Sequence, residues 1–113
     1  MKTTNIYTGS LSTIVMKLLN EHDSMYGYQI VKRVIEITHG ELQITEGALY
    51  PCLHKLEAAG FVEVSYAMIG RRTRKYYKLT EKGTRETVKK LAELERYIQN
   101  MRALIHPKFR QAE

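Results

Sequence analysis

The densest group of charged side chains is a cluster of cations in the second half of the chain. Four of the five positions from 71 to 75 are positively charged: Arg71, Arg72, Arg74 and Lys75. So many like charges in so short a segment repel one another unless they face an anion. Guanidinium groups bind phosphate through paired hydrogen bonds, and an ammonium group binds it as a point charge. The cluster therefore predicts a polyanionic partner, and the alternative is a solvated charged loop.

The distribution of charge along the chain supports this prediction. Residues 1–53 carry a net charge of −1, residues 54–90 carry +6, and residues 91–113 carry +1. The whole positive excess thus lies in about a third of the 113 residues. Because nucleic acid is the commonest partner of such a basic segment, we expect a nucleic-acid-binding protein.

Other kinds of site have little support in the sequence. The single cysteine, Cys52, excludes an internal disulfide and a zinc site built on several cysteines, and the four histidines lack metal-ligand spacing. No phosphate-binding glycine loop and no nucleophile motif is present, so we expect no enzyme, no metal and no cofactor. The apolar neighbours of Cys52 on its predicted helix favour an inert thiol over a redox switch.

The length of the chain predicts one domain. No apolar run approaches the roughly 20 residues that a membrane span needs, and the first residues do not resemble a signal peptide, so we expect a cytoplasmic protein. Residues 1–7 and 107–113 are expected to be frayed ends.

Two amphipathic helices are predicted in the first 40 residues. The first has Ser10 as its cap. The second starts with Asp23 or Ser24 as its cap and ends at His39-Gly40. Their apolar faces follow helical spacing and comprise Leu11, Ile14, Val15, Leu18 and Leu19 in the first, and Tyr26, Ile30, Val34 and Ile37 in the second.

A third helix is predicted between Thr45, its N-cap, and Gly60, its stop. Pro51 lies in its interior, but residue i−4 is Gly47, which has no side chain to crowd the ring, so we expect a bend and not an end. Its buried face comprises Leu49, Cys52, Leu53 and Leu56. Its outward face comprises Thr45, Gly47, Tyr50, Pro51, His54 and Lys55.

A β-hairpin is predicted after the third helix. Val62, Val64 and Tyr66 alternate with polar residues, and Tyr77 and Leu79 alternate on the return strand. The residues between, 68–75, are predicted to form the turn. A helix followed by a hairpin with a basic tip is the order of a recognition helix and a charged wing.

The last helix is predicted to run from a cap at Thr80 to about Ile105. It carries an apolar stripe at alternating steps of four and three: Thr87, Leu91, Leu94, Ile98, Met101 and Ile105. Since a domain of this size cannot cover both sides of such a helix, self-association is the prediction. The alternative is that the stripe packs on the first helix of the same chain.

Five short motifs extend the comparison to a known family. They are Gly27-Tyr28; Gly47 with Leu49-Tyr50-Pro51; Leu56-Glu57 with Gly60; Arg74-Lys75-Tyr76-Tyr77; and Leu79-Thr80-Glu81 with Gly83. With these motifs the chain resembles the PadR family of bacterial transcriptional regulators over roughly residues 9–105. Its short C-terminal helix resembles the compact branch of that family.

The resemblance implies a mainly α fold with a small β-hairpin, namely a winged helix-turn-helix with a C-terminal dimerisation helix. Residues 1–80 would be the DNA-binding domain, and residues 81–113 the dimerisation helix and tail. It also implies a homodimer, usually a repressor, in which the last helix of each subunit packs against the first helix of its mate. A two-fold dimer predicts a palindromic operator.

The residue chemistry and the resemblance together give two sets of site residues. The predicted contacts to double-stranded DNA are Tyr28, Thr45, Gly47, Tyr50, Pro51, His54, Lys55, Arg71, Arg72, Arg74 and Lys75. The predicted dimer interface comprises Leu11, Val15, Leu91, Leu94, Ile98, Met101 and Ile105. Core packing is the alternative for Tyr28 and Tyr50, and plain exposure is the alternative for His54.

The chain departs from the family pattern in three places. Ala48 stands where Thr or Ser is common, Glu46 stands where Pro is common, and Leu94 stands about where drug-binding members carry a tryptophan. The chain has no Trp, which argues against inherited multidrug sensing. An apolar or aromatic inducer in the dimer pore stays an open partner. A winged-helix protein-interaction module without sequence-specific DNA binding is the alternative function; a single-strand or RNA binder would need more exposed aromatics.

Overall fold

The computed structural model describes residues 2–106, so the predicted frayed end at 107–113 lies outside the described residues. The chain is mainly helical with small β-sheets, as predicted. The elements are β1 (Thr4–Asn5), α1 (Thr8–Glu21), β2 (Met25–Tyr26), α2 (Gly27–Ile37), β3 (Leu42–Gln43), α3 (Glu46–Ala58), β4 (Val62–Ile69), β5 (Arg72–Leu79) and α4 (Glu81–Ile105).

The core lies between the first three helices and the base of the β4–β5 hairpin. Apolar side chains at helical spacing on α1, α2 and α3 meet the inward-facing residues of the sheet there. The most deeply buried are Val15, Met16, Leu19, Ile30, Leu49, Leu53 and Tyr77. This core fixes the hairpin against α3, and it thereby orients both predicted DNA-binding elements.

The segment before α1 is ordered, so the predicted frayed end is wrong for its described part. Strand β1 pairs in parallel with β3, and the amides of Thr4 and Ile6 each donate to a carbonyl of the β3 segment at 2.9 Å. Such a two-residue pairing has no periodicity in the sequence. It therefore could not be read from the residue pattern.

The starts of α1 and α2 differ from the predicted ones. Helix α1 begins at Thr8, and Ser10 lies inside its first turn, where its hydroxyl donates to the Tyr7 carbonyl at 3.1 Å. Helix α2 begins at Gly27, because the two residues before it are drawn into the sheet as β2. Tyr26 is consequently half-buried at the helix start, and Ile37, predicted to face inward, is 50% exposed.

Helix α3 follows the prediction closely. The Thr45 hydroxyl accepts a hydrogen bond from the Ala48 amide at 3.3 Å and so caps the first turn. All four predicted inward residues are buried. The helix continues through Pro51, and it is followed by Gly60 with φ of 80°, a conformation that glycine adopts without strain.

The hairpin strands are longer than predicted, and the predicted turn over residues 68–75 is wrong. Strands β4 and β5 pair from Val62 with Leu79 out to Ile69 with Arg72, and only two residues, Gly70 and Arg71, form the turn. Gly70 has φ of 63°, which suits a tight hairpin turn. Strand β2 adds on the other side of β5, which gives the sheet order β2-β5-β4.

The first half of helix α4 packs against the rest of the domain, and the second half exposes apolar side chains. The Thr80 hydroxyl accepts from the Gly83 amide at 3.0 Å and donates to the Gly60 carbonyl at 2.6 Å, so the helix start is tied to the end of α3. Gly83 lies directly against the Phe61 backbone, and Thr87 is fully buried. Beyond Leu94 the apolar residues of the helix are mostly exposed.

Candidate nucleic-acid interface

Helix α3 and its N-cap carry the six residues that the sequence analysis assigned to DNA, of which Lys55 also lines the open groove beside α1 and α4. All six are exposed: Thr45, Gly47, Tyr50, Pro51, His54 and Lys55. The helix N-terminus carries partial positive charge from its free amide groups, which favours an approaching anion. Glu46 is exposed in the same first turn, where it balances part of that charge.

Tyr50 is held in place by a contact that the sequence analysis did not anticipate. Its ring lies against Gly27 at the start of α2, so closely that a β-carbon at position 27 would lie 2.9 Å from the Tyr50 Cζ and even nearer to the hydroxyl oxygen. Only glycine leaves room for the ring. The Tyr50 side chain is nevertheless 38% exposed. It therefore packs against the protein on one side and remains accessible on the other.

The environment of Tyr50 keeps its phenol protonated. Burial raises the pKa of Tyr50 above its usual value near 10, and the neighbouring Glu46 carboxylate and Tyr77 raise it further. A phenol with a raised pKa stays a hydrogen-bond donor throughout the neutral range. A phosphate oxygen is an acceptor that such a donor suits.

A cleft joins the start of α2, the helix α3 and the wing formed by β4 and β5. Its lining consists of Tyr26, Gly27, Tyr28, Tyr50, Ile69, Arg72, Thr73, Arg74, Lys75 and Tyr77. Tyr28 is 59% exposed in the first turn of α2, and its hydroxyl is free to meet a ligand. The structure thus brings Tyr28 and Tyr50 together with three of the four predicted wing cations.

The four wing cations are of two kinds. Arg71 and Arg72 are exposed at the hairpin end. Arg74 and Lys75 are half-buried on tyrosine rings: the Arg74 guanidinium carbon lies 4.0 Å from the Tyr26 ring centroid, and the Lys75 ammonium lies 5.4 Å from that of Tyr77. Strand alternation separates the latter pair, because Arg74 and Lys75 point to opposite faces of β5.

The wing keeps its positive charge available. Within residues 2–106, none of the four wing cations has a carboxylate oxygen within 4 Å. Burial lowers the pKa of Lys75, but Tyr77, Tyr66 and Glu57 together outweigh burial and leave that pKa above its usual value. Lys75 therefore stays cationic at neutral pH, and all four side chains are available to an external anion.

Five cleft residues were missed as site residues: Tyr26, Gly27, Ile69, Thr73 and Tyr77. Tyr26 was taken for a core residue, because a two-residue strand gives no alternation by which to recognise it. Ile69 and Thr73 were assigned to the turn. Gly27 was noted only as part of a motif, although its lack of a side chain is what allows Tyr50 to lie where it does.

In the part of the chain that the structure describes, no thiol or metal site competes with this cleft. Cys52 is buried, with the Ser12 hydroxyl 3.5 Å from its sulfur, and its surroundings are those of a packed thiol. Over residues 2–106 no cluster of His, Cys, Asp and Glu is grouped to hold a metal ion. In the same part of the chain no helix combines the length and the hydrophobicity needed to cross a membrane.

The predicted dimer residues lie away from the cleft, along α1 and α4. Leu11 and Val15 are already buried in the single chain, and Val15 has no exposed surface. Leu91 and Leu94 are half-buried, whereas Ile98, Met101 and Ile105 are exposed at 45%, 37% and 63%. An open groove between α1, the N-terminal segment and α4 is lined by several of these side chains.

Comparison with solved structures places the fold among known regulators. A transcriptional regulator from Clostridium thermocellum is 30% identical over 82% of this chain and 87% of its own, with a TM-score of 0.75. PadR family regulators from Eggerthella lenta and Clostridium difficile are 28% and 27% identical. They cover 87% and 86% of this chain and 80% and 98% of their own lengths, with TM-scores of 0.70 and 0.69.

A search of curated proteins found no match. The family model described as the transcriptional regulator PadR-like family matches residues 15–89, which include α2, α3 and the wing. The family match and the solved structures confirm the resemblance that the sequence motifs indicated. The chain belongs to the PadR-like family of transcriptional regulators, which are DNA-binding proteins and not enzymes.

Proposed function

We propose that this protein is a sequence-specific regulator that binds double-stranded DNA as a homodimer on a palindromic operator and represses transcription. The observation that carries the proposal is the cleft, where α2, α3 and the wing bring tyrosine hydroxyls and cations to one surface. In this proposal residues 1–80 bind DNA and residues 81–113 provide dimerisation. The cytoplasm, predicted from the sequence, is where such a regulator would act.

The proposed DNA contacts divide between bases and backbone. On α3, Lys55 and His54 reach base edges or phosphate, and Pro51 packs against a thymine methyl. Gly47 lets the helix N-terminus approach a phosphate, and Thr45 lies beside it as the cap. Tyr28 and Tyr50 donate hydroxyl hydrogen bonds to phosphates at the cleft. Phosphate contacts of this kind set the register of the protein on DNA.

In this proposal the wing binds the DNA backbone beside the site contacted by α3. Arg71 and Arg72 stand free at the hairpin end, so they can follow the backbone or enter the minor groove. Arg74 and Lys75 add charge closer to α3. Because each phosphate contact releases counterions, binding should weaken steeply as salt rises.

The proposed homodimer rests on the exposed apolar stripe of α4. Ile98, Met101 and Ile105 leave exposed hydrophobic surface on one side of the second half of α4. A second copy covers that surface, and Leu91 and Leu94 extend the contact towards α1. Leu11 and Val15, buried in their own chain, support α1 from beneath. Dimerisation places two α3 helices about one turn of DNA apart.

Ligand response is part of the proposal. The groove between α1 and α4 is lined by apolar side chains such as Ile14, Leu94 and Ile98, with no Trp in the chain. An apolar or aromatic inducer that binds between the subunits would change the spacing of the two α3 helices. Repression would then be relieved because the helices no longer match both half-sites.

A binding titration tests the central part of the proposal. Wild type and the Arg71→Ala/Arg72→Ala variant are titrated with the DNA upstream of the gene and with a random duplex, across a salt series. The wild type should prefer the upstream DNA, and the variant should bind more weakly with a shallower salt dependence, by about 0.9 in log–log slope per lost contact. Arg85→Ala/Lys89→Ala removes equal charge from α4 and should bind like wild type.

The alternative function predicts a different result. A winged-helix interaction module would bind both duplexes equally weakly, and the wing variant would change neither affinity. The wing favours DNA binding, because within residues 2–106 none of its four cations is paired with a carboxylate, and a module that meets other proteins has no need of four such charges. Equal binding to the upstream and the random duplex would favour the interaction module over the DNA-binding regulator.

A further inference from the structure

Arg74 lies closer to its tyrosine ring than Lys75 does, at 4.0 Å against 5.4 Å. Its guanidinium carbon lies 4.0 Å from the Tyr26 ring centroid, and the Tyr26 ring in turn meets Tyr76 edge to face, with centroids 5.6 Å apart. A planar guanidinium at this distance interacts with the ring face and loses much of its freedom. Arg72, its neighbour on the same strand face, is exposed instead.

Tyr26 lies where the wing joins the helices. Its backbone pairs with Tyr76 of β5, and it is also the residue from which α2 starts. The next two residues are Gly27, which seats the Tyr50 ring, and Tyr28, which lines the cleft. A change in the position of Tyr26 would therefore move the wing and both tyrosine hydroxyls together.

The backbone link between the wing and α2 is short. Strand β2 contributes two residues, whereas β4 and β5 run eight residues each and extend beyond the core. Two residue pairs alone do little to fix the angle of the outer wing relative to the helices. The stacking of Arg74 on Tyr26 extends the attachment two residues further along β5, towards the turn.

We propose that Tyr26 and Arg74 form a positioning pair that sets the angle of the wing relative to α3, and that Arg74 is not simply one more phosphate contact. This inference rests on the proposed function for its effect on DNA binding. The pairing itself is a property of the free protein. It can therefore be measured with and without DNA.

The first test measures amide hydrogen exchange of the wing, residues 67–75, in the DNA-free protein. Arg74→Lys keeps the charge but loses the planar stack, and Tyr26→Leu keeps apolar bulk but loses the ring face. Both should speed wing exchange about tenfold, consistent with the strength of a partly buried cation–π contact. Tyr26→Phe and the matched control Arg72→Lys should exchange like wild type.

The second test is a double-mutant cycle in DNA affinity on the upstream duplex. Arg74→Lys and Tyr26→Leu should each weaken binding about tenfold without changing its salt dependence, because the number of charges is unchanged. The double variant should be no weaker than either single variant, since both remove the same contact. Thermal melts of every variant confirm that each one is folded.

Several outcomes would overturn the pairing. Arg74→Lys exchanging like Arg72→Lys in the first test and binding DNA like wild type in the second would make Arg74 an ordinary cation. A double variant weaker by the product of the two single effects would make the residues independent, and Tyr26→Phe matching Tyr26→Leu would assign the effect to the hydroxyl. If the wild type prefers no duplex, the proposed function fails, while the exchange data still decide the pairing.

Discussion

The cleft and the outer half of α4 are both exposed, but they are exposed for different reasons. The cleft presents hydroxyls and cations whose positions are fixed within one chain, as Gly27 fixes Tyr50 and Tyr26 fixes Arg74. Outer α4 presents Ile98 and Ile105, which within residues 2–106 remain 45% and 63% exposed. Polar exposure is stable in water, whereas a contiguous apolar stripe indicates a missing partner.

The difference separates a surface that a single chain forms by itself from a surface that a single chain leaves apolar and exposed. One chain builds the whole of the proposed DNA surface, including the position of the Tyr50 ring against Gly27. In the proposed homodimer, the apolar stripe of α4 becomes part of a core because a second copy covers it. Mutations in the two regions should therefore have separable effects, on DNA affinity in the cleft and on assembly in α4.

The largest effect is expected from a charge placed in the stripe. Ile98→Glu would bury a carboxylate without a partner in the dimer, at about 4 kcal/mol, or roughly a thousandfold in the dimer dissociation constant. Sedimentation equilibrium should show a monomer that is still folded. Asn100→Glu, with the same added charge on the outward face, should remain dimeric. Dimeric Ile98→Glu would show that the stripe is not the interface.

A smaller effect, this time on stability, is expected at the anchored start of α4. Gly83→Ala would press a β-carbon into the Phe61 carbonyl, and because backbone cannot yield as a side chain can, unfolding should become easier by about 3 kcal/mol. Urea denaturation measures this. Gly47→Ala is the matched control in α3, where a β-carbon meets no atom within 4 Å, and it should be neutral or slightly stabilising.

The smallest effect concerns pH and Tyr50. Since the folded pKa of Tyr50 lies above its unfolded value, the folded state holds the proton more tightly. This contribution to stability is complete below pH 10, the usual tyrosine value, and is lost as pH rises through the folded pKa. Tyr50→Phe should flatten the fall in stability in that alkaline range. Identical alkaline slopes for the two proteins would contradict the packed position of the phenol.

Much of this arrangement could be predicted from the sequence. The features that were not predicted share one physical cause. Helix α3 has strong signals, with a capping Thr45, a regular apolar face and Gly60 as the stop, so its bounds and its outward face were predictable. The same holds for α4 between Thr80 and Ile105. These elements carry their own periodicity and their own end signals.

The missed features depend on contacts between distant segments. The pairings of β1 with β3 and of β2 with β5 involve two residues each, too few for any alternation. The outer wing is exposed on both faces, so its strands also lack alternation and were taken for a turn. The contacts of Tyr50 with Gly27 and of Arg74 with Tyr26 exist only once the chain has folded.

The most direct test of the account is selection of duplex DNA from a random-sequence library by the purified protein. It does not depend on knowing where the operator lies. We predict enrichment of an inverted repeat whose half-site centres lie about 10 base pairs apart, as a two-fold pair of α3 helices requires. No enriched sequence, or a single site without a repeat, would contradict a dimeric regulator that reads DNA with this cleft.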